Sequence, residues 1–465
     1  MTGPHARTAA LAAPTALVLV VAVLTGAGGY VVTRVLREPE PMATLARPAV
    51  PLVAGRATVA PAAPAVPTGT PAAATAVARV LGPALAAGSL GPRVRASVVD
   101  VATGTTLLDR GAAVVAAPAS TAKLLTAAAI LTVHRPTDRL NTSVLSGTGS
   151  QAGTVYLRGG GDPTLTAAAA GKRGAYPGAA RLGDLAAAVR RARIQVQRIV
   201  VDGSVFTGPG VSPAWAAEDV PSDYASAITG VLADGGRVAP SAPNRSATPD
   251  LDAGRALAGL LGTPRLAVSR GRTPVSGARL VGTVSSAPIV TLVRQMLLES
   301  DNVIAECLAR QVALSRHGPA SFTGAAQAVR SVLQGLGVDP GTALVDGSGL
   351  AARDRLSPAT LTALLRVVAT DRRASLRSVV SALPVAGWSG TLAARYGAGV
   401  QRTAAGDVRA KTGTLTGVSG LAGLLHDRSG RLLAFAFIAD RTGSTPVAEA
   451  GLDAVAAALA ACGCS

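Results

Sequence analysis

Residues 117–133 read APASTAKLLTAAAILTV and hold one of only three lysines in a chain of 465 residues. Leu124, Leu125, Ala128, Ala129 and Leu131 recur at helical spacing, which predicts a helix with one apolar face starting close to Ser120. Ser120 and Lys123 stand at i and i+3, so on a helix their Cβ atoms lie about 5–6 Å apart on one face. The lysine can therefore reach the serine hydroxyl. That hydroxyl is a weak nucleophile until a base takes its proton, and an amine whose pKa is lowered by burial or by a neighbouring cation can be that base. Arginine cannot, because its guanidinium does not give up its proton. In a chain whose positive charge is almost wholly arginine, a lysine kept here points to proton transfer. A serine following Pro118 and Ala119 also suits a helix N-cap, so this tetrapeptide alone leaves both readings open.

Two later segments change the balance. In ESDNVIAE, Ser300, Asp301 and Asn302 follow an amphipathic helix that begins after Pro288, with Ile289, Leu292, Val293, Met296 and Leu297 in register. In RAKTGTLTGVSG, Lys411, Thr412, Gly413 and Thr414 open a strand. Asparagine occurs only at 141, 244 and 302. The chance that a given lysine precedes Thr-Gly in this composition is on the order of one in a hundred. Asp301 reads as a capping or structural residue, and Asp346 to Gly349 as a tight turn near the site.

The set S-x-x-K, S-x-N and K-T-G in this order resembles that of penicillin-binding proteins and serine β-lactamases. More closely, the chain resembles the D-alanyl-D-alanine carboxypeptidase and endopeptidase family of low-molecular-mass penicillin-binding proteins, serine peptidases with an inserted domain. The long separation of Ser120 from Ser300 leaves room for that insertion. GGGDPTL at 159–165, VDGSVF at 201–206, DGSGL at 346–350 and LPVAGWSGTL at 383–392 extend the match over residues 73–461. The resemblance implies that Ser120 attacks the penultimate D-alanine carbonyl, with Lys123 as the base. It implies that Ser300, between Lys123 and Lys411, relays the proton to the leaving D-alanine, and that Asn302 holds the substrate's peptide group. Lys411 and Thr412 would meet the terminal carboxylate, the backbone N–H groups of Ser120 and Thr414 would form the oxyanion hole, and Gly413 would let substrate lie against the strand edge. The implied partners are peptidoglycan stem peptides ending in D-Ala-D-Ala, with β-lactams as acylating inhibitors and no cofactor.

Two rival functions share these residues. A β-lactamase needs rapid deacylation, commonly through a carboxylate-positioned water, yet between Lys123 and Ser300 the only glutamates are Glu218 and Glu299. A wall-binding scaffold without catalysis has no use for Ser120, Lys123, Ser300, Asn302 and Lys411 all intact.

The remaining sequence bounds the architecture. Hydrophobic residues make up 49% and aromatics 2%, so the core is built from Ala, Val and Leu. A net charge of +18 is spread along the chain without basic clusters or stacking aromatics. That argues against nucleic-acid binding and suits the anionic polymers of a cell envelope. His5, His134, His317 and His426 form no pair at ligand spacing, so no metal is expected. The three cysteines, Cys307, Cys462 and Cys464, leave at least one thiol unpaired or bridged between chains. Cys307 fits either a pairing with a terminal cysteine or a small buried hydrophobe.

Residues 8–33 carry no charge and are long enough to span a bilayer. Residues 1–37 thus read as a signal anchor or a signal peptide, with the rest extracytoplasmic. Residues 38–72 are Pro/Ala-rich and extended, on the order of 100 Å of stalk. Residues 73–137 and 283–465 are the two parts of a transpeptidase-like body, and 138–282 an inserted, mostly β module. The expected fold class is α+β, with a penicillin-binding protein/serine β-lactamase-like body of a central antiparallel sheet and packed helices.

Overall fold

Three strands near the C-terminus and two near the start build the sheet on which the site rests. The computed structural model describes residues 70–340 and 344–464. The candidate anchor and nearly all of the stalk lie outside them, and no helix among the described residues is long and apolar enough to cross a membrane. The chain opens with α1 (Ala74–Leu85), then β1 (Arg93–Asp100) and β2 (Thr106–Arg110), the hairpin expected around Ala102 to Gly104. At the far end β8 (Arg409–Leu415), β9 (Val418–His426) and β10 (Leu432–Asp440) close an antiparallel sheet of order β2-β1-β10-β9-β8. The sheet therefore joins residues more than 300 positions apart in sequence.

Strand periodicity places both faces of this sheet in contact with helices. From β10, Leu433, Phe435, Phe437 and Ala439 face α1 and α10 (Thr445–Ala460), while Ala434, Ala436 and Ile438 face the opposite helical layer. That layer holds α2 (Lys123–Val133), α5 (Ile289–Glu299), α6 (Asn302–Ser315), α7 (Phe322–Gly335), α8 (Pro358–Thr370) and α9 (Ala374–Ala382). The α2 helix departs from expectation. Every residue from Lys123 to Leu131 is buried, so it has no polar face. A helix apolar all round belongs at the centre of a bundle, and α5 to α9 surround α2 there.

Between α2 and α5 a second sheet of order β6-β5-β4-β3-β7 is formed by β3 (Asn141–Gly147), β4 (Thr154–Arg158), β5 (Arg198–Asp202), β6 (Ala267–Arg270) and β7 (Ala278–Ser285). It is more helical than its sequence texture suggested. The β4–β5 and β5–β6 pairs are parallel, which demands crossovers, supplied by α3 (Leu182–Arg191) and α4 (Pro249–Leu260). Leu182, Leu185, Ala186 and Val189 of α3 are buried against Val155, Leu157 and Ile199 of the sheet. Among the cysteines, Cys462 and Cys464 are bonded to one another and Cys307 is free and buried. The hydrophobe reading of Cys307 holds and its pairing with the terminus does not.

Phe437 is fully buried and stacks on Phe435 with ring centroids 5.0 Å apart. Phe437→Ala should cost about 3–5 kcal/mol of folding stability, read as a lower denaturant midpoint with an unchanged slope.

Candidate active site

The first backbone feature of the site is a 3-10 turn, Ala119–Ala122, that runs into α2 at Lys123. Ala119 enters it at φ 48, and no side-chain cap bond is made at the start of either segment, so Ser120 is not an N-cap. Its hydroxyl instead lies 2.8 Å from Lys123 Nζ. The same nitrogen donates to Asn302 Oδ1 at 2.6 Å and to the Ser348 carbonyl at 2.8 Å.

Lys123 is 0% exposed. Burial penalises its charged form and lowers its pKa to about 8, against the upward pull of Asp346, Glu306, Asp301 and Asp354. Lys411 is buried as well and donates to Ser300 Oγ at 2.9 Å and to the Thr412 carbonyl at 3.0 Å. Its pKa is pushed down by burial, then by the nearby Lys123 and Arg395.

The structure therefore brings Ser120, Lys123, Ser300, Asn302, Lys411, Thr412 and Thr414 to one cleft of about 610 Å³. Ser300 sits at the C-terminus of α5 in the left-handed region and Asn302 on the first turn of α6. Lys411 and the two threonines lie on β8, the outer strand of the body sheet, whose outer edge is bridged by residues 384–386 only at its start, around Arg409 and Ala410.

Several details differ from the sequence reading. Ser300 is bonded to Lys411, whereas the partners of Lys123 are Ser120, Asn302 and Ser348. The Asn302 side chain is engaged inside the protein, with its Nδ2 donating to the Tyr224 carbonyl at 3.2 Å. A Cβ at Gly413 would not meet the open strand edge. It would lie 2.7 Å from the Pro118 carbonyl and 3.1 Å from Thr121 Cγ2, so this glycine lets β8 approach the turn that carries Ser120. The side chain of Thr414 donates to Glu449 Oε1 at 3.1 Å.

Other residues complete the site: Asp301 and the 346–349 turn take the capping and turn roles their sequence suggested, while Arg245, Tyr176 and Glu306 carried no sequence signal. Asp301 is the N-cap of α6, accepting from Ile304 N at 3.0 Å, and its other oxygen accepts from Arg245 and Tyr176. Burial favours its neutral form, but Arg245 and then Arg237 hold its carboxyl well below the usual range. The turn at Asp346 to Gly349 does more than reverse the chain. Asp346 accepts from the backbone N–H of Ser348 and Gly349, and Glu306, whose pKa burial raises to about 8, accepts from Gly347 N at 3.0 Å. That network fixes the Ser348 carbonyl over Lys123. Thr391, within the GWSGTL stretch, accepts from Thr412 Oγ1 at 2.9 Å. Arg395 is bonded to Asp453 at 2.6 Å. No group of His, Cys, Asp and Glu among the described residues is arranged to hold a metal ion.

The fold and this cleft place the chain in the class of penicillin-binding serine peptidases. It matches the D-Ala-D-Ala carboxypeptidase 3 (S13) family over residues 78–247 and 241–462, and belongs to that family. Carboxypeptidase DacB of Mycolicibacterium smegmatis is 44% identical over 83% of this chain and 84% of its own length. Carboxypeptidase Rv3627c of Mycobacterium tuberculosis is 43% identical over 79% of this chain and 80% of its own. The crystal structure of penicillin binding protein 4 (dacB) from Haemophilus influenzae shares the fold with a TM-score of 0.67 at 22% identity, covering 82% of this chain and 97% of that one.

Gly413→Ala forces the Ser120 turn and β8 apart. It should slow acylation by a labelled penicillin at least about tenfold, while Gly443→Ala, where a Cβ meets nothing within 4 Å, leaves the rate unchanged.

Proposed function

We propose that this protein is a serine-type D-alanyl-D-alanine carboxypeptidase that works through an acyl-enzyme on Ser120. The observation that carries the reading is the 2.8 Å contact of Ser120 Oγ with a buried amine whose pKa is lowered to about 8. A base of that strength is part neutral near physiological pH and still able to hold the proton it takes.

In the acylation step Ser120 Oγ bonds to the carbonyl carbon of the penultimate D-alanine as its proton passes to Lys123 Nζ. The oxyanion is received by the backbone N–H groups of Ser120 and Thr414, donors aimed at charge that develops only in the transition state. The C–N bond then breaks, and the proton that Lys123 took passes by way of Ser300, which Lys411 holds, to the departing amine of D-alanine, leaving Lys123 neutral again. Lys411 and Thr412 lie where the terminal carboxylate of the substrate would be met. Water finally attacks the ester, releasing the shortened peptide and restoring Ser120.

β-Lactams enter the same sequence as acylating inhibitors. Glu299 stands exposed on the cleft wall, and among the described residues no hydrogen bond ties it to Ser120 or Lys123. It is therefore not built to position a deacylating water, and release of the penicilloyl group should be slow. The substrate, peptidoglycan stem peptides ending in D-Ala-D-Ala, sets the place of action outside the cytoplasm in the cell envelope, with residues 8–33 as the membrane segment.

Ser120→Ala should abolish covalent labelling by penicillin and lower D-alanine release on the order of a thousandfold or more. Lys123→Arg keeps the charge without the titratable amine and should fail similarly. Labelling that survives Ser120→Ala sinks the acyl-enzyme reading, and penicillin turnover of several cycles per second would favour a β-lactamase instead. Because Lys123 must be neutral to accept the proton, the second-order rate of acylation at low ligand concentration should rise with pH to a half-maximum near pH 8 and level off above it.

A further inference from the structure

Residues 141–285, the second sheet and its loops, supply none of Ser120, Lys123, Ser300, Asn302 or Lys411. They nevertheless hold the surroundings of Lys123 from two sides. On one side the Tyr224 carbonyl accepts from Asn302 Nδ2 at 3.2 Å. Beside Asn302, Asp301 Oδ2 accepts from Tyr176 OH at 2.6 Å and from Arg245 Nη2 at 2.9 Å, and Arg237 donates to the same tyrosine oxygen at 2.6 Å. On the other side Trp215 Nε1 donates to Asp346 Oδ2 at 2.8 Å, and Asp346 Oδ1 accepts from Ser348 N at 3.0 Å. Trp215 is itself seated edge-on against Phe322 of α7, with centroids 5.1 Å apart.

Both acceptors of the Lys123 hydrogens, Asn302 Oδ1 and the Ser348 carbonyl, are thus fastened from this region. Their geometry matters because a neutral amine has two N–H bonds and one lone pair. With the N–H bonds spent on Asn302 and Ser348, the lone pair is left facing Ser120 Oγ. A shift of either acceptor turns it away, and misplacement of about 1 Å can cost on the order of a hundredfold in rate. A buried pair such as Arg245 and Asp301 contributes little net stability against a well-packed apolar substitute. Its use here is to fix one geometry.

We infer that residues 141–285 act as a clamp that orients the general base, with Tyr176, Arg245 and Trp215 as positioning residues for Lys123. The inference rests on the reading of Lys123 as the base of Ser120.

The test uses Tyr176→Phe and Trp215→Phe in the full chain. Tyr176→Phe removes the bond to Asp301 and the one from Arg237, Trp215→Phe removes the bond to Asp346, and each keeps an aromatic ring. D-Alanine release from a D-Ala-D-Ala peptide gives kcat and KM, scaled to the sites that labelled penicillin titrates at completion, with Tm measured alongside. The expected result is a fall in kcat of about tenfold to a hundredfold with KM within about twofold and most sites still titrated. An unchanged kcat overturns the clamp, as does a rise in KM alone, which would assign these side chains to substrate binding. A loss that vanishes on scaling to titrated sites also overturns it, because the role is then only structural. Wild-type protein that is not labelled at Ser120 sinks the base reading itself, a result distinct from a labelled wild type whose variants are unaffected.

Discussion

The cleft depends on the cost of taking one primary amine out of water. Lys123 is wholly buried, and desolvation by itself drives such a group toward permanent neutrality. The protein opposes this with carboxylates placed around it, Asp346, Glu306, Asp301 and Asp354 in order of effect. The balance falls at about 8. An amine paired directly with a carboxylate would hold its proton too strongly to act as a base, and one buried among apolar groups would not take the proton at all. None of the three hydrogen-bond partners of Lys123 is a carboxylate, so the acidic groups act through space and leave its lone pair available.

Holding that balance requires backbone at close quarters from distant parts of the chain. The α2 helix is buried on every side, which pins its first turn in place. Two glycines allow neighbouring segments to approach the turn. Gly413 brings β8 in from one side, and Gly349, at φ +78, sits where a Cβ would run into the Ala119 carbonyl. The sheet contributes rigidity to this arrangement, because β8 is tied through β9 to β10, a strand buried on both faces. The nucleophile turn is in this way held against an open strand edge, where an extended peptide can lie along the cleft.

Much of this was legible in the sequence because short-range chemistry and periodicity carry it. The i, i+3 spacing of Ser120 and Lys123, the register of α5 and the paired strands ending at Asp440 each follow from local pattern. The scarcity of lysine and asparagine singled out residues 123, 302 and 411 against an arginine-rich background. What was not legible depended on long-range partners. A carbonyl such as that of Ser348 has no side-chain signature, and nothing in the local sequence of Tyr176, Arg245 or Trp215 shows that they meet Asp301 and Asp346. The helical content of the second sheet was missed for another reason. The pattern of Leu182, Leu185, Ala186 and Val189 was present, but the surrounding Gly, Pro and Ser punctuation suggested strands and turns. Gly413 shows the same limit, since the need for a glycine was visible and the direction of the missing side chain was not.

On the proposed mechanism, the two buried lysines let a single cleft both recognise an anion and supply a base. Burial lowers both amines, and the charge of Lys123 pushes Lys411 down further. Arg395 adds a further positive charge near Lys411, while the acidic groups cluster around Lys123. A substrate that brings a carboxylate to Lys411 and Thr412 changes this balance, because an opposite charge at contact distance favours the ammonium there. A charged Lys411 then disfavours charge on Lys123 and leaves it neutral beside Ser120. On this mechanism binding of the terminal carboxylate prepares the base, and a peptide without that group would lose rate as well as affinity.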